Sequence, residues 1–318
     1  MAAKEINQQQ QTQSWERYWQ SDQGSQTQIS DQLKQQCLTP LWQRFLRQAF
    51  IATPNAVTLE IGCGDGYLAD LNAPLLPASS QLLCLDISTA AAQWVEQKHP
   101  RLAAVAANAN ALPLADHSVD IVISQFGIEY AGAAAFAEVG RVLKPKGKLL
   151  LFCHQQGSSI FQECHGNRQT LQAFIDSQVM PLAAAAFRAG YRILAGQGSQ
   201  QAFRDADKAL APAVEQVKQL LLHPQCDADQ FLRRVFADLG KMYGRIQHYQ
   251  ADDVSAWFNH NNQAIVEYLG RMQSMTDAAL STAQTEQITA QLAQAGILLD
   301  CTAVQHNTQP LGWVFERK

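Results

Sequence analysis

Gly62, Gly64 and Gly66 alternate with Cys63 and Asp65 just after the apolar run Val57 to Ile61. Glycine has no Cβ, so such a turn takes up positive φ and lets a ligand approach the backbone closely. A segment of helical character starts near Tyr67, and the amides at its start favour a negatively charged or electron-rich group. Glu60, inside the strand end, repels a pyrophosphate and suits an ammonium group. The dinucleotide fingerprint G-x-G-x-x-G fits poorly, because Tyr67 stands where its third glycine belongs. These residues read as the cradle of a nucleotide-like ligand at the end of a strand.

A second apolar run, Gln81 to Asp86, ends in an acid 24 positions beyond Gly62. An acid at that place can accept hydrogen bonds from both hydroxyls of a ribose. Ile87 then stands against one face of the attached base. Asp86 has a competing use as the cap of the helix Ala90 to Lys98, but Ser88 can do that work. Ser124 and Gln125 close a fourth run that begins at Ile121. Beyond it lie Glu129 and Tyr130, and His154 follows a fifth run, Lys148 to Cys153. A carboxylate, phenol or imidazole there can take a proton or orient an amine. Each also has a structural use: Glu129 as a cap or ion-pair partner, His154 as a donor to a nearby carbonyl.

The elements that must position these groups alternate. Five short apolar runs, with Ala103 to Ala106 as the third, are separated by helical segments, which predicts a doubly wound parallel sheet. Ligands of such sheets bind beyond the carboxyl ends of the strands, where the strand order reverses. Gly62, Asp86, Asn108 and Ser124 all fall there.

The stretch Leu59-Glu60-Ile61-Gly62-Cys63-Gly64-Asp65-Gly66-Tyr67 resembles motif I of the class I S-adenosylmethionine-dependent methyltransferases. Ala107 to Asp120 resembles the pattern G-D-A-x-x-L-P-F-x-D-x-S-F-D of the type 11 group, and Arg141 to Gly147 resembles its R-V-L-K-P-G-G turn. The resemblance covers about Leu59 to Phe152. It implies S-adenosyl-L-methionine as cofactor, held by Glu60, Gly62, Cys63, Gly64, Gly66, Asp86, Ile87, Asn108, Ala109, Ser124 and Gln125. Asn108 replaces the family's acid, and its amide oxygen can still accept from the adenine amino group. The resemblance also implies a Rossmann-like sheet of seven strands, the last antiparallel, closed by a hairpin of Ile297 to Gln305 and Gly312 to Glu316. The helical stripes at Trp15, Tyr18 and Trp19 and from Leu38 to Phe50 match the helices that often cap the cofactor cleft in that group. Glu129, Tyr130 and His154 are the catalytic candidates.

Composition bounds the rest. The chain has 318 residues, 47% hydrophobic and 16% charged, with a formal net charge of −4. The absence of a basic run argues against a nucleic-acid substrate, and no apolar run approaches the roughly 18 residues of a membrane span. Seven cysteines without a C-x-x-C pair suit a reducing cytoplasm and predict neither disulfides nor a metal site. Residues 1–14 read as a disordered polar tail. Residues 15–154 and 283–318 read as the cofactor-binding core. Residues 155–282 read as a helical insertion acting as a lid or substrate-selecting domain, or else as a homodimer contact. The expected activity is methyl transfer to oxygen, nitrogen or carbon of a small molecule. A tRNA or protein acceptor, or a non-catalytic binding module, is the alternative.

Overall fold

The computed structural model describes residues 15–20, 31–223 and 225–317. The tail read at 1–14 lies outside the described residues. Residues 15–20 are helical, and helix α1 (Thr39–Ala52) leads into strand β1 (Val57–Ile61). Then follow α2 (Tyr67–Asn72), β2 (Gln81–Asp86), α3 (Thr89–Lys98), β3 (Ala103–Ala106) and β4 (Val119–Gln125). The short α4 (Ile128–Ala131) and α5 (Ala133–Val142) precede β5 (Leu143–His154). Five helices come next: α6 (Ser159–Asp176), α7 (Val179–Leu194), α8 (Gln200–Leu220), α9 (Asp227–Tyr243) and α10 (Ala251–Ala278). Helix α11 (Thr282–Gln294) and the hairpin β6 (Asp300–His306) and β7 (Gln309–Glu316) close the chain.

The strands form one sheet in the order β3-β2-β1-β4-β5-β7-β6. Neighbours from β3 through β5 pair parallel, and β7 pairs antiparallel with both β5 and β6. The fold is the α/β, Rossmann-like architecture with helical additions. The central strands are continuous apolar runs because helices cover both faces. On one face Leu59, Ile61, Val122 and Leu149 meet Phe136 and Val139 of α5 and Leu292 of α11. On the other, Ile121, Ile123, Leu150 and Phe152 meet Trp42, Phe45, Leu46 and Phe50 of α1. The order reverses between β1 and β4, which opens a crevice at their carboxyl ends.

One boundary differs from the sequence reading. The segment read as a turn before Lys148 is already part of β5, which starts at Leu143. A register shift between Val119 and Ile121 absorbs the irregularity. A Cβ at Gly147 would stand 2.9 Å from the Asp120 carbonyl oxygen, so the backbone approaches too closely for any side chain.

The chain divides into two compact units, one running to residue 162 and resuming at 274, the other spanning 163–273. The second is wholly helical, with α7 and α8 packed along their lengths. Buried Ala183, Ala186 and Phe187 on α7 and Leu210, Ala213 and Val217 on α8 supply its apolar faces. In the first unit, Gln155 and Leu280 form a parallel bridge, so the chain leaves the sheet and returns to it side by side. Among the described residues no helix is long and apolar enough to cross a membrane.

Candidate cofactor and acceptor site

The glycine loop turns at once out of β1. Gly62, Gly64 and Gly66 have φ of 72°, 47° and 79°, the left-handed region where a Cβ costs roughly 1–2 kcal/mol. The Gly62 and Cys63 amides both donate to the Leu85 carbonyl, at 2.7 and 3.2 Å, which ties the loop to the end of β2. A Cβ at Gly62 would lie 2.7 Å from the Gly127 Cα, and one at Gly64 would lie 2.9 Å from the Trp19 ring. Glycine is required here by two close approaches as well as by φ.

Asp86 ends β2 and is 8% exposed. Its carboxylate accepts from the Gly64 amide at 3.0 Å and from the Ser88 amide at 2.9 Å. Burial raises its pKa, and the donating amides oppose the rise. Two amides leave lone pairs free on a carboxylate that accepts about four hydrogen bonds. Ser88 is the cap of α3, accepting from the Ala91 amide at 3.2 Å, so Asp86 is released from that task. Ile87, 44% exposed, stands beside it.

These groups line a cleft of about 850 Å3, open mouth included, together with Asn108, Ala109, Asn110, Phe126, Gly127 and Tyr130. An acid at a strand end, an exposed aliphatic face beside it and a cradle that any Cβ would fill form the donor set of a nucleoside site. S-Adenosylmethionine fits it, with Asp86 placed for the ribose diol and Ile87 for the adenine face.

Several expected residues lie elsewhere. Glu60 is 1% exposed and accepts from the Cys84 thiol at 3.4 Å. Burial pushes its carboxyl up to about 8. Cys63 is buried, and neither it, Glu60 nor Gly66 reaches the lining. Ser124 is fully buried and knots three elements: its hydroxyl donates to the Ile61 carbonyl at 2.7 Å and accepts from the Ile128 amide at 3.0 Å. Gln125 accepts from the Trp42 indole at 2.6 Å. Both polar groups are spent on joining β4 to its neighbours. Asn108 accepts from the Asn110 amide at 2.9 Å and shapes its own loop.

Of the three catalytic candidates, Tyr130 alone lines the cleft. Glu129 latches α4 to β5, its Oε1 accepting from the His154 amide at 2.8 Å, and burial pushes its carboxyl up to about 7. The His154 ring stacks on Phe126 with centroids 4.2 Å apart, and burial drives its pKa down to about 3. Tyr130 meets that ring edge-on at 5.8 Å.

The sequence reading missed Phe126, Gly127, Asn110 and Ser274 as lining residues. Phe126 holds φ of 51°, which no local signal announces. Trp15 and Trp19 read only as one stripe of a helix. In the structure both line the cleft, Trp15 donating to Ser274 at 3.3 Å and Glu16 accepting from the Ser88 hydroxyl at 2.6 Å.

With that geometry in place, comparison with known proteins is decisive for the central region. Residues 59–151 match the family described as "Methyltransferase domain", of type 11. The chain carries a class I S-adenosylmethionine-dependent methyltransferase domain. The chain is 32% identical over 115 residues to a demethylmenaquinone methyltransferase of Renibacterium salmoninarum, covering 36% of this chain and 47% of that protein. It is 38% identical over 95 residues to a probable S-adenosylmethionine-dependent methyltransferase of Mycobacterium tuberculosis, covering 29% and 34%. A solved methyltransferase structure from Aquifex aeolicus aligns at 16% identity and a TM-score of 0.31, covering 40% of this chain and 75% of that one. The chain spans less than half the length of the two curated relatives. The methyltransferase domain's cofactor is S-adenosyl-L-methionine.

Proposed function

We propose that the whole protein transfers a methyl group from S-adenosylmethionine to a small-molecule acceptor. The observation that carries this is the cleft at the β1/β4 crevice, where the glycine loop, Asp86 and Tyr130 face one space. The bound cofactor supplies an activated methyl group, so the protein contributes chiefly position and exclusion of water. Gly62 and Gly64 bring the backbone close, Asp86 orients the ribose, and Ile87 with Ala109 holds the base. Asn108 and Asn110 stand at the polar edge of that base. Trp15 and Trp19 cover the cleft, and Tyr130 faces the acceptor.

Glu129 and His154 act in this reading as positioning residues. Each is 4% exposed, and together they fix α4 and the Phe126 ring against β5. The printed names of two relatives support a metabolite acceptor: one acts on demethylmenaquinone, and one from Methylococcus capsulatus on malonyl-[acyl-carrier protein]. Free thiols at Cys63, Cys84 and Cys153 suit a cytoplasmic location.

Calorimetric titration tests the reading. The protein should bind S-adenosylmethionine and ignore NADH, and Asp86→Ala should weaken binding by about 1–3 kcal/mol by leaving ribose hydroxyls unpaired. Unchanged affinity in the variant would remove the ribose assignment, and binding of NADH alone would overturn the function.

A further inference from the structure

The cleft is aromatic at the end that faces the acceptor, and it is nearly without charge. Trp15, Phe126 and Tyr130 present rings there. Trp15 meets Tyr130 edge-on, with centroids 5.5 Å apart and planes at 82°, and stacks with Trp19 at 6.5 Å. Among the described residues, Asp86 is the one charged side chain in the lining, and the Gly64 and Ser88 amides hold it at the ribose end. An ammonium or carboxylate on the acceptor would therefore enter this lining without a partner, an unfavourable transfer out of water. A flat conjugated ring instead gains offset and edge-on contacts with every aromatic side chain it meets.

The same end offers no strong base among the described lining residues. His154 lies stacked with Phe126, and burial disfavours its protonated form. Glu129 commits Oε1 to the His154 amide and stays outside the lining. An acceptor that depends on the enzyme for deprotonation, such as an aliphatic alcohol, is poorly served. One that ionises readily by itself is well served. An apolar site also favours union of an anion with a sulfonium, because both charges vanish in the products. A neutral amine would leave its positive charge behind in the same apolar space.

We propose that the methyl acceptor is a flat, uncharged phenol or hydroquinone, held on the rings of Trp15, Phe126 and Tyr130. The proposal rests on the methyl-transfer reading above. The acceptor gives its hydroxyl proton to solvent, and its oxygen, or the conjugated ring carbon beside it, forms the new bond to the methyl carbon. The S–C bond breaks with its electron pair kept by sulfur. For transfer to carbon, the displaced ring proton also passes to solvent as the ring regains its aromaticity.

The test is calorimetry on the full chain saturated with S-adenosylhomocysteine, with 2-naphthol, 2-naphthoate and octylamine as probes. The neutral flat probe should bind at least about tenfold more tightly than either charged one. Trp15→Ala and Tyr130→Ala should each weaken 2-naphthol by about five- to tenfold while S-adenosylhomocysteine affinity holds, which also shows that the variants fold. Equal or tighter binding of naphthoate or octylamine would overturn the proposal. So would variants that lose affinity for S-adenosylhomocysteine and naphthol in equal measure, since the rings would then serve the cofactor. Failure of the unmodified protein to bind S-adenosylhomocysteine at all would instead sink the methyltransferase reading.

Discussion

Glu60 illustrates how one residue can be legible in type and misread in role. Its place at the end of β1 marked a cofactor loop, yet its carboxyl is 1% exposed and faces the Cys84 thiol rather than the cleft. Burial, with Asp65 and Asp86 adding repulsion, pushes it up to about 8 from an ordinary value of 4.5. Between those values the folded chain holds a proton that the unfolded chain has lost, so this group's contribution to stability falls as pH rises through the window. Glu60→Gln removes the titration and keeps an acceptor for Cys84. Urea unfolding at pH 6 and pH 9 should show the variant gaining on the parent at the higher pH, by on the order of 3 kcal/mol. Parallel loss of stability in both proteins would show that Glu60 stays ionised. Ser124 and Gln125 follow the same pattern: their positions in the chain were informative, but their partners Ile61, Ile128 and Trp42 belong to other elements.

Among the elements, the connection from β3 to β4 has the least regular backbone and the most work to do. It carries Asn108 to Asn110 into the cleft, and Arg141 on α5 holds it in place. The guanidinium donates to the carbonyls of Leu112 and Leu114, to Asp116 and to Glu138. Glu138 in turn accepts from the Leu112 amide at 2.8 Å. A planar fork satisfies several acceptors at once, which an ammonium group cannot do. Arg141→Lys should therefore behave nearly like Arg141→Ala, each costing about 1–2 kcal/mol of stability and weakening cofactor binding. Thermal melts with and without S-adenosylhomocysteine would check this, and full rescue by lysine would reduce the clamp to simple charge pairing. The strand and helix periods were readable for most of the sheet. The start of β5 was not, because Gly147 presses against Asp120 across a register shift that only the neighbouring strand imposes.

For the whole molecule, every described residue lining the cleft belongs to the sheet unit, and the chain leaves and re-enters that unit side by side at Gln155 and Leu280. Replacing residues 163–273 with a flexible linker should thus leave S-adenosylhomocysteine affinity within about threefold, by calorimetry. Methyl transfer should be lost if this helical unit selects the acceptor; retained transfer would assign the unit another purpose. What the sequence determined by itself was local chemistry: glycines that only a left-handed turn tolerates, an acid at a strand end, apolar runs that must be covered on both faces. These depend on φ, on period and on the residue's own atoms. Tertiary structure decided which polar groups remain free for ligands. It turned Glu60, Ser124, Gln125 and Glu129 inward as ties between strands and helices. It also brought Trp15, Phe126 and Tyr130 to one cleft. The reason is physical: a side chain's partners and its desolvation depend on elements far away in sequence, and no local pattern encodes them.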